Sequence, residues 1–293
     1  MTLAHGGGRG RTRAGDQAEL ARHFRQLHDR RPLILPNAWD SASARVMELA
    51  GAPAIASTSA GVSWARGCAD GQHLDRGEMI DAVRGIVRAV TVPVTADIES
   101  GYQTGSVYDV AETVQAALAV GVVGINLEDS PGRNGAPLRT PEEQAERLRA
   151  ARAAADVARI DLVINARTDV YLFGAGTPEQ RFEETVRRAR VYRAAGADCV
   201  FVPGVVDGDT IASLVRAIEG PVNIMAGPGA PSADQLGRLG VARVSVGPAI
   251  MLAALAATRR AARELLERGT YSGLEEAVAF ETANTMFTDS RAP

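Results

Sequence analysis

Three carboxylates, Asp97, Glu99 and Glu128, stand at the ends of two consecutive apolar runs of this chain, and they are its first candidates for chemistry. Carboxylates gathered in a partly dry site repel one another unless a cation neutralises them. An all-oxygen set suits a hard divalent ion, Mg2+ or Mn2+, whereas zinc or copper would call for histidines or thiolates. Asp97 and Glu99 are two positions apart, a spacing that puts both side chains on one face of a strand. The competing reading is that some of these acids cap helices or pair with arginines. Arg167, at the end of a later run, offers a planar fork that fits a carboxylate or phosphonate, and Ser57, Thr58 and Ser59 offer hydroxyl and backbone donors. A small carboxylate substrate bridging ion and arginine is the expected ligand, with Arg167, Ser57 and Thr58 as the catalytic candidates. An ion pair of Arg167 with Asp169 or Glu128 is the open alternative. Trp39 and Asn223 are further candidate substrate contacts. His73 reads as a solvated loop histidine.

These residues must be positioned by a repeated scaffold, and the chain supplies one. Short apolar, β-branched runs at 33–36, 54–57, 92–97, 124–128, 162–166, 199–203, 222–226 and 244–247 alternate with longer Ala/Arg/Glu-rich amphipathic stretches. Runs apolar on both faces are those of a parallel sheet covered by helices. Gly51, Gly121, Gly196, Gly220 and Gly240 precede the runs as helix stops. Eight such units, at a spacing of roughly thirty residues, predict a closed (β/α)8 TIM barrel. An open dinucleotide-binding sheet is disfavoured, because no Gly-x-Gly-x-x-Gly follows the first run. In a barrel the active site is built from the loops after the strands, which is where the polar residues above lie. The spacing of Leu20, Phe24 and Leu27 predicts a helix from about Gln17, before the first strand. Residues 1–15 are expected to be disordered, and 16–293 to form one barrel domain extended by C-terminal helices over 249–268 and 274–287.

Composition narrows the function classes. All 32 residues counted as Lys or Arg are arginine, so chemistry through a lysine Schiff base is excluded. A net charge of −3 with no basic stripe argues against nucleic acid. No apolar stretch is long enough to span a bilayer and no secretory leader is apparent, so a cytoplasmic location is expected. Cys68 and Cys199 have no metal-site or disulfide spacing and read as thiols.

The motifs LPNAWDSASARVMELAG, STSAGVSWARGCADG, VTADIESGY, INLEDSPG, NARTD and GADCVFVPG follow one another at successive strand ends. In this order they resemble the isocitrate lyase and phosphoenolpyruvate mutase superfamily, over residues 32–246. The resemblance implies a barrel with bound magnesium that makes or breaks carbon–carbon or carbon–phosphorus bonds beside a carboxylate through an enolate. It also implies a homodimer or homotetramer with an exchanged C-terminal helix. By position it implies that Asp97 ligates the ion directly and that Asp70, Glu99 and Glu128 hold its waters. Ser57, Thr58 and Ser59 would grip the substrate carboxylate and enolate oxygen, Arg167 would bind the carboxylate side, and Asn134 matches a loop asparagine of the mutases. Glu99 replaces the second aspartate of the more usual DADTGYG.

The departures matter as much. Isocitrate and methylisocitrate lyases carry Lys-Lys/Arg-Cys-Gly-His on the loop after the fourth strand, where cysteine protonates the departing carbanion. Here residues 130–138 contain no cysteine, histidine or lysine. Loss of a general acid costs roughly a hundredfold or more in rate, which disfavours those two activities. The mutase loop lysine is missing too, and Pro203 stands where its histidine is expected. Three readings follow. The first is a magnesium-dependent lyase or hydrolase acting on a small 2-oxo or 2-hydroxy acid. The second is a mutase or hydrolase of phosphonopyruvate, and the third is a non-catalytic barrel that binds a small anion.

Overall fold

The computed structural model describes residues 13–29, 32–131, 137–174 and 176–288, with side chains from residue 17 onward. Nine strand segments are all parallel: β1 (Leu33–Leu35), β2 (Asn37–Ala38), β3 (Ile55–Ser57), β4 (Val94–Asp97), β5 (Gly124–Glu128), β6 (Val163–Arg167), β7 (Cys199–Val202), β8 (Val222–Met225) and β9 (Arg243–Ser245). β1 pairs with β9 and β2 with β3, while only Pro36 separates β1 from β2. Proline has no N–H for the ladder, but the Pro36 carbonyl still accepts from Ala56 N at 3.1 Å. β1 and β2 are therefore two halves of one strand, and the ring closes as an eight-stranded barrel in the place of the eight predicted runs.

The connecting helices are α1 (Arg13–Leu27), α2 (Ser41–Leu49), α3 (Ser59–Ala65), α4 (Arg76–Ala89), α5 (Val107–Ala119), α6 (Pro141–Ala158), α7 (Val170–Phe173), α8 (Pro178–Ala194), α9 (Gly208–Ala217), α10 (Ala233–Arg238), α11 (Ala249–Arg268) and α12 (Phe280–Thr288). Their starts are written in the sequence. Asp40 with Ser43, Asp75 with Glu78, Ser106 with Asp109, Thr140 with Glu143 and Thr177 with Gln180 each form a capping box. Their stops are the glycines before the strands, which all adopt the left-handed conformation.

α1 starts at Arg13, a few residues ahead of the predicted helix and within the stretch expected to be disordered; residues 1–12 of that stretch lie outside the described residues. The helix closes the floor of the barrel. Phe24 is fully buried, and a Cβ on Gly124 would lie 2.6 Å from its ring and 2.8 Å from Thr95 Oγ1, so the approach requires glycine. Gln17 Nε2 ties the plug down by donating to the carbonyls of Leu118 and Val122, each at 2.9 Å.

Alternation decides what faces the site. On the last three strands Val200, Val202, Val222, Ile224 and Val244 pack outward against Ile211, Leu214 and Leu236 of the helices. Phe201, Asn223, Arg243 and Ser245 therefore fill the interior. The C-terminal extension differs in part from expectation. α11 covers 249–268 as predicted, but residues 272–279 make a short 3-10 turn and loop, with turn bonds such as Leu274 N to Tyr271 O at 2.9 Å, and α12 begins only at Phe280.

Candidate active site

The acids meet at the C-terminal mouth of the barrel. Asp97 ends β4, and its Oδ2 accepts from Ser59 Oγ at 2.8 Å and Ser59 N at 3.2 Å, at the start of α3. Its own N–H donates to Ser57 Oγ at 2.8 Å. Glu99 does not reach the site by strand pleating as the two-residue spacing suggests, because β4 stops at Asp97. It has left-handed φ of 49°, followed by Gly101 at 90° and Tyr102 at 64°. A non-glycine residue there is strained, and such strain concentrates at functional sites. The turn aims the Glu99 N–H at Asp97 Oδ1, 3.3 Å away, and brings Tyr102 OH to Glu99 Oε1 at 3.1 Å.

Opposite, Glu128 ends β5 and Arg167 ends β6, in register with one another. Arg167 Nη1 lies 3.0 Å from Glu128 Oε2, and its Nε and Nη2 donate to the two oxygens of Asp169 at 2.6 and 3.2 Å. The ion pairs weighed as the alternative role of Arg167 are thus present. A guanidinium has five N–H groups, and these contacts use three of them. Among the described residues, each Nη keeps a hydrogen that these contacts do not use.

Electrostatics shows what the acids lack. Burial raises the Glu99 carboxyl to about 8, with Asp97 and Asp70 adding to the rise. Burial, then Asp97, pushes Asp70 up as well. Glu128 is raised well above the carboxylate range by burial, which Arg167 only partly offsets. Burial alone would lower Arg167, but Glu128 and Asp169 outweigh it and hold the guanidinium above its ordinary value. Burial and mutual repulsion thus outweigh the pull of Arg167 on Asp70 and Glu128, and the acids form a donor set of oxygens that fits a hard divalent ion. Among the described residues no three His, Cys, Asp or Glu side chains converge closely enough to enclose an ion alone. The set fits an ion gripped directly by few side chains, with the remaining acids reaching it through water.

Stability should report this charge excess. Glu99 is raised from 4.5 to about 8, so between those values the native state holds a proton that the unfolded state has released. The ion-free protein therefore loses stability as pH climbs through that window. We expect its Tm to fall by about 5 °C between roughly pH 6 and pH 9. Mg2+ should raise Tm more at the alkaline end, where no proton need be displaced. Differential scanning fluorimetry with and without Mg2+ reads both effects, and a flat ion-free profile would reject the charge argument.

The other predicted residues are placed less directly. Thr58 is buried at the N-cap of α3 and makes no side-chain cap bond. Trp39 is half-buried against the core clusters. Asn223 is fully buried in the barrel interior, where its Oδ1 accepts from Ser245 Oγ at 3.3 Å and its Nδ2 has no partner among the described residues. Asn134 lies outside the described residues. Sequence reasoning missed Arg147, Arg188 and Tyr192, which lie on helices. Arg147 Nη1 donates to the Glu128 carbonyl at 3.0 Å and Nε to Gly105 O at 2.8 Å, joining the loop after β4 to the end of β5. Its burial pushes the guanidinium down to about 10. The available signal was an arginine, one turn after Gln144, set among Ala145, Leu148 and Ala151 on the buried face of the helix.

Known proteins resemble this chain. The phosphoenolpyruvate phosphomutase family model matches residues 24–266. A 2-methylisocitrate lyase of Halalkalibacterium halodurans is 30% identical over 70% of this chain and 67% of its own length. An oxaloacetate decarboxylase of Pseudomonas entomophila is 31% identical over 71% of this chain and 70% of its own. The crystal structure of a lyase/mutase of unproven activity from Burkholderia cenocepacia superposes with a TM-score of 0.87 at 39% identity, covering 94% of this chain and all of the other. No helix among the described residues is long and apolar enough to cross a membrane. By its family match, its relatives and its barrel, this chain belongs to the phosphoenolpyruvate phosphomutase family and is an enzyme of the isocitrate lyase and phosphoenolpyruvate mutase superfamily.

Proposed function

We propose that this enzyme breaks a carbon–carbon bond beside a carboxylate in a small 2-oxo or 2-hydroxy acid, with oxaloacetate as the best-matched substrate and Mg2+ or Mn2+ as cofactor. The observation that carries the reading is the crowding of Asp70, Asp97, Glu99 and Glu128 in one site that Arg167 borders, its Nη groups keeping hydrogens unused among the described residues. In this reading Asp97 holds the ion directly, and Asp70, Glu99 and Glu128 orient its waters. When bound, the ion supplies charge to offset the negative charge that develops on the 2-oxo oxygen. Arg167 binds the substrate carboxylate through its two uncommitted N–H groups. Ser57 Oγ accepts from Asp97 N, which leaves its own hydroxyl hydrogen for a substrate oxygen, and Thr58 has no capping duty.

Cleavage of oxaloacetate breaks C3–C4: carbon dioxide departs, the bonding electrons stay on C3 as the enolate of pyruvate, and C3 then takes a proton. The loop at 130–138 has no cysteine, histidine or lysine to deliver that proton, so water supplies it. Reading the chain as an oxaloacetate-type enzyme agrees with the decarboxylase relative and with the absent loop acid that a methylisocitrate lyase would use. Carbon-13 NMR of labelled oxaloacetate with enzyme and Mg2+ tests it, with Asp97→Ala as the control for spontaneous decay. Pyruvate, or oxalate with acetate, formed faster than in the control supports carbon–carbon cleavage. Turnover of phosphonopyruvate alone would overturn it in favour of carbon–phosphorus chemistry, and no turnover of either acid would favour a binding barrel.

Assembly as a homodimer or homotetramer is part of this proposal. Only Met251 of α11 is buried, and Leu252, Leu255, Leu265 and Leu266 are exposed. Across the outer face of β1, Leu27, Ile34, Met47, Pro53 and Ile250 line an apolar groove of about 650 Å3. A second copy's α11 suits that groove. Light scattering should give at least twice the chain mass of 30.7 kDa, and a monomer at micromolar concentration would reject the exchange.

A further inference from the structure

Behind Arg167 lies a buried network that its substrate role does not require. Asp129, fully buried after β5, accepts at Oδ1 from Asp169 N at 3.0 Å. Its Oδ2 accepts from Tyr192 OH at 2.7 Å and from Arg188 Nη1 at 2.9 Å, both on α8. Asp129 N donates to Arg167 O at 3.2 Å, so this one residue grips the chain at Arg167 and again at Asp169. Asp169 in turn holds the Arg167 guanidinium through two bonds. Arg188 Nη1 also donates to Arg139 O at 2.8 Å, and Nε to Glu184 Oε1 at 2.7 Å.

A buried ion pair is seldom the cheapest filling for a core, since desolvation offsets most of its attraction and apolar residues of like volume often serve as well. The face of α8 that carries Arg188 and Tyr192 is otherwise built from Thr185 and Ala189, small enough to have accepted apolar neighbours. What the charged pair adds is direction. Arg188 and Tyr192, one helical turn apart, fix a carboxylate whose other oxygen fixes the Asp169 peptide.

We propose that Arg188 and Tyr192 are positioning residues: through Asp129 and Asp169 they aim the Arg167 guanidinium and so set how tightly the site holds a carboxylate ligand. The inference rests on the reading of Arg167 as the carboxylate-binding group. Tyr192→Phe removes one donor with little change in shape. Arg188→Met removes the charge, Arg188→Lys restores it without the fork, and Arg190→Ala alters an exposed residue on the same helix as control.

Two readouts on the full-length protein separate the possibilities. The first is the Arg167 Nε–H resonance in the ligand-free protein, assigned with Arg167→Lys. The second is oxalate affinity at saturating Mg2+ by calorimetry, oxalate standing in for the enolate of pyruvate as a planar dianion. We expect the Nε–H signal to shift or broaden in Tyr192→Phe and Arg188→Met. Oxalate binding should weaken about threefold to tenfold in the first and tenfold or more in the second, as for loss of hydrogen bonds to a charged group. Mg2+ affinity should stay unchanged, Arg188→Lys should recover part of the loss, and Arg190→Ala should show none. An unmoved Nε–H signal, or a fall in Tm with unchanged oxalate affinity, would show that the network is only structural and overturn the proposal. A moved signal in a protein whose wild type binds no oxalate would leave the positioning role standing and reject the carboxylate-binding role of Arg167.

Discussion

Asp97→Ala should abolish divalent-ion binding and lower kcat/KM for oxaloacetate by about three orders of magnitude or more, the scale on which loss of a central electrostatic element is felt. Ser59 N and Oγ hold its Oδ2, the Glu99 N–H points at its Oδ1, and Asp70, Glu99 and Glu128 all feel its charge. Among the described residues no neighbouring acid is gripped in the same way from α3. The stability of the variant should move in the opposite sense to its activity. Removing one of several mutually repelling carboxylates relieves the ion-free protein, so its Tm should match or exceed that of the wild type at about pH 8. The rise in Tm on adding Mg2+ should vanish. Asp97→Asn keeps the shape and should share the loss of ion binding. Calorimetric titration with Mg2+ and Mn2+ checks the point, and retained binding by either variant would remove Asp97 from the centre of the site.

Arg167→Met should damage both stability and activity, for separable reasons. Glu128 and Asp169 would be left buried without their cation, which typically costs about 3–5 kcal/mol. The substrate carboxylate would also lose its fork, lowering kcat/KM by about a hundredfold to a thousandfold. Adding Glu128→Gln to Arg167→Met removes one orphaned charge and should recover part of the stability without recovering activity. Arg167→Lys should keep more of the fold than Arg167→Met, since it retains a positive charge, yet stay well below wild type in kcat/KM. A lysine cannot make the paired bonds to Asp169 and still present two donors to a ligand. Denaturant melts with parallel kinetics distinguish the two losses. If the double variant regained activity along with stability, Arg167 would be a structural cation and no substrate ligand.

Most of the scaffold was legible because a barrel repeats itself. Apolar runs of strand length, capping boxes such as Thr140 with Glu143, and glycine stops such as Gly121 are local signals, and each predicted strand formed where its run lay. Once the strands are placed, the rule that barrel sites sit at their C-terminal ends selects Asp97, Glu128 and Arg167 without further information. The helix ends were less legible. α1 reaches back to Arg13, and the region before α12 turns instead of continuing a helix, because amphipathic spacing marks a helix more sharply than it marks its limits.

Within the acid cluster, the sequence by itself determined the kinds of group available: oxygen donors in excess, no lysine, and a loop at 130–138 without the lyase proton donor. It could not determine how Glu99 joins Asp97, which depends on a left-handed turn at a residue that rarely adopts one. Nor could it show that Arg167 is already shared between Glu128 and Asp169 and keeps only part of its fork for a ligand. Arg188 and Tyr192 were hidden altogether, since they meet Asp129 across 59 and 63 residues of chain. Local periodicity states which helix positions turn inward, and it is silent on which buried polar groups from distant units will satisfy one another. That pairing is fixed only when the barrel closes and each buried donor must find an acceptor within reach.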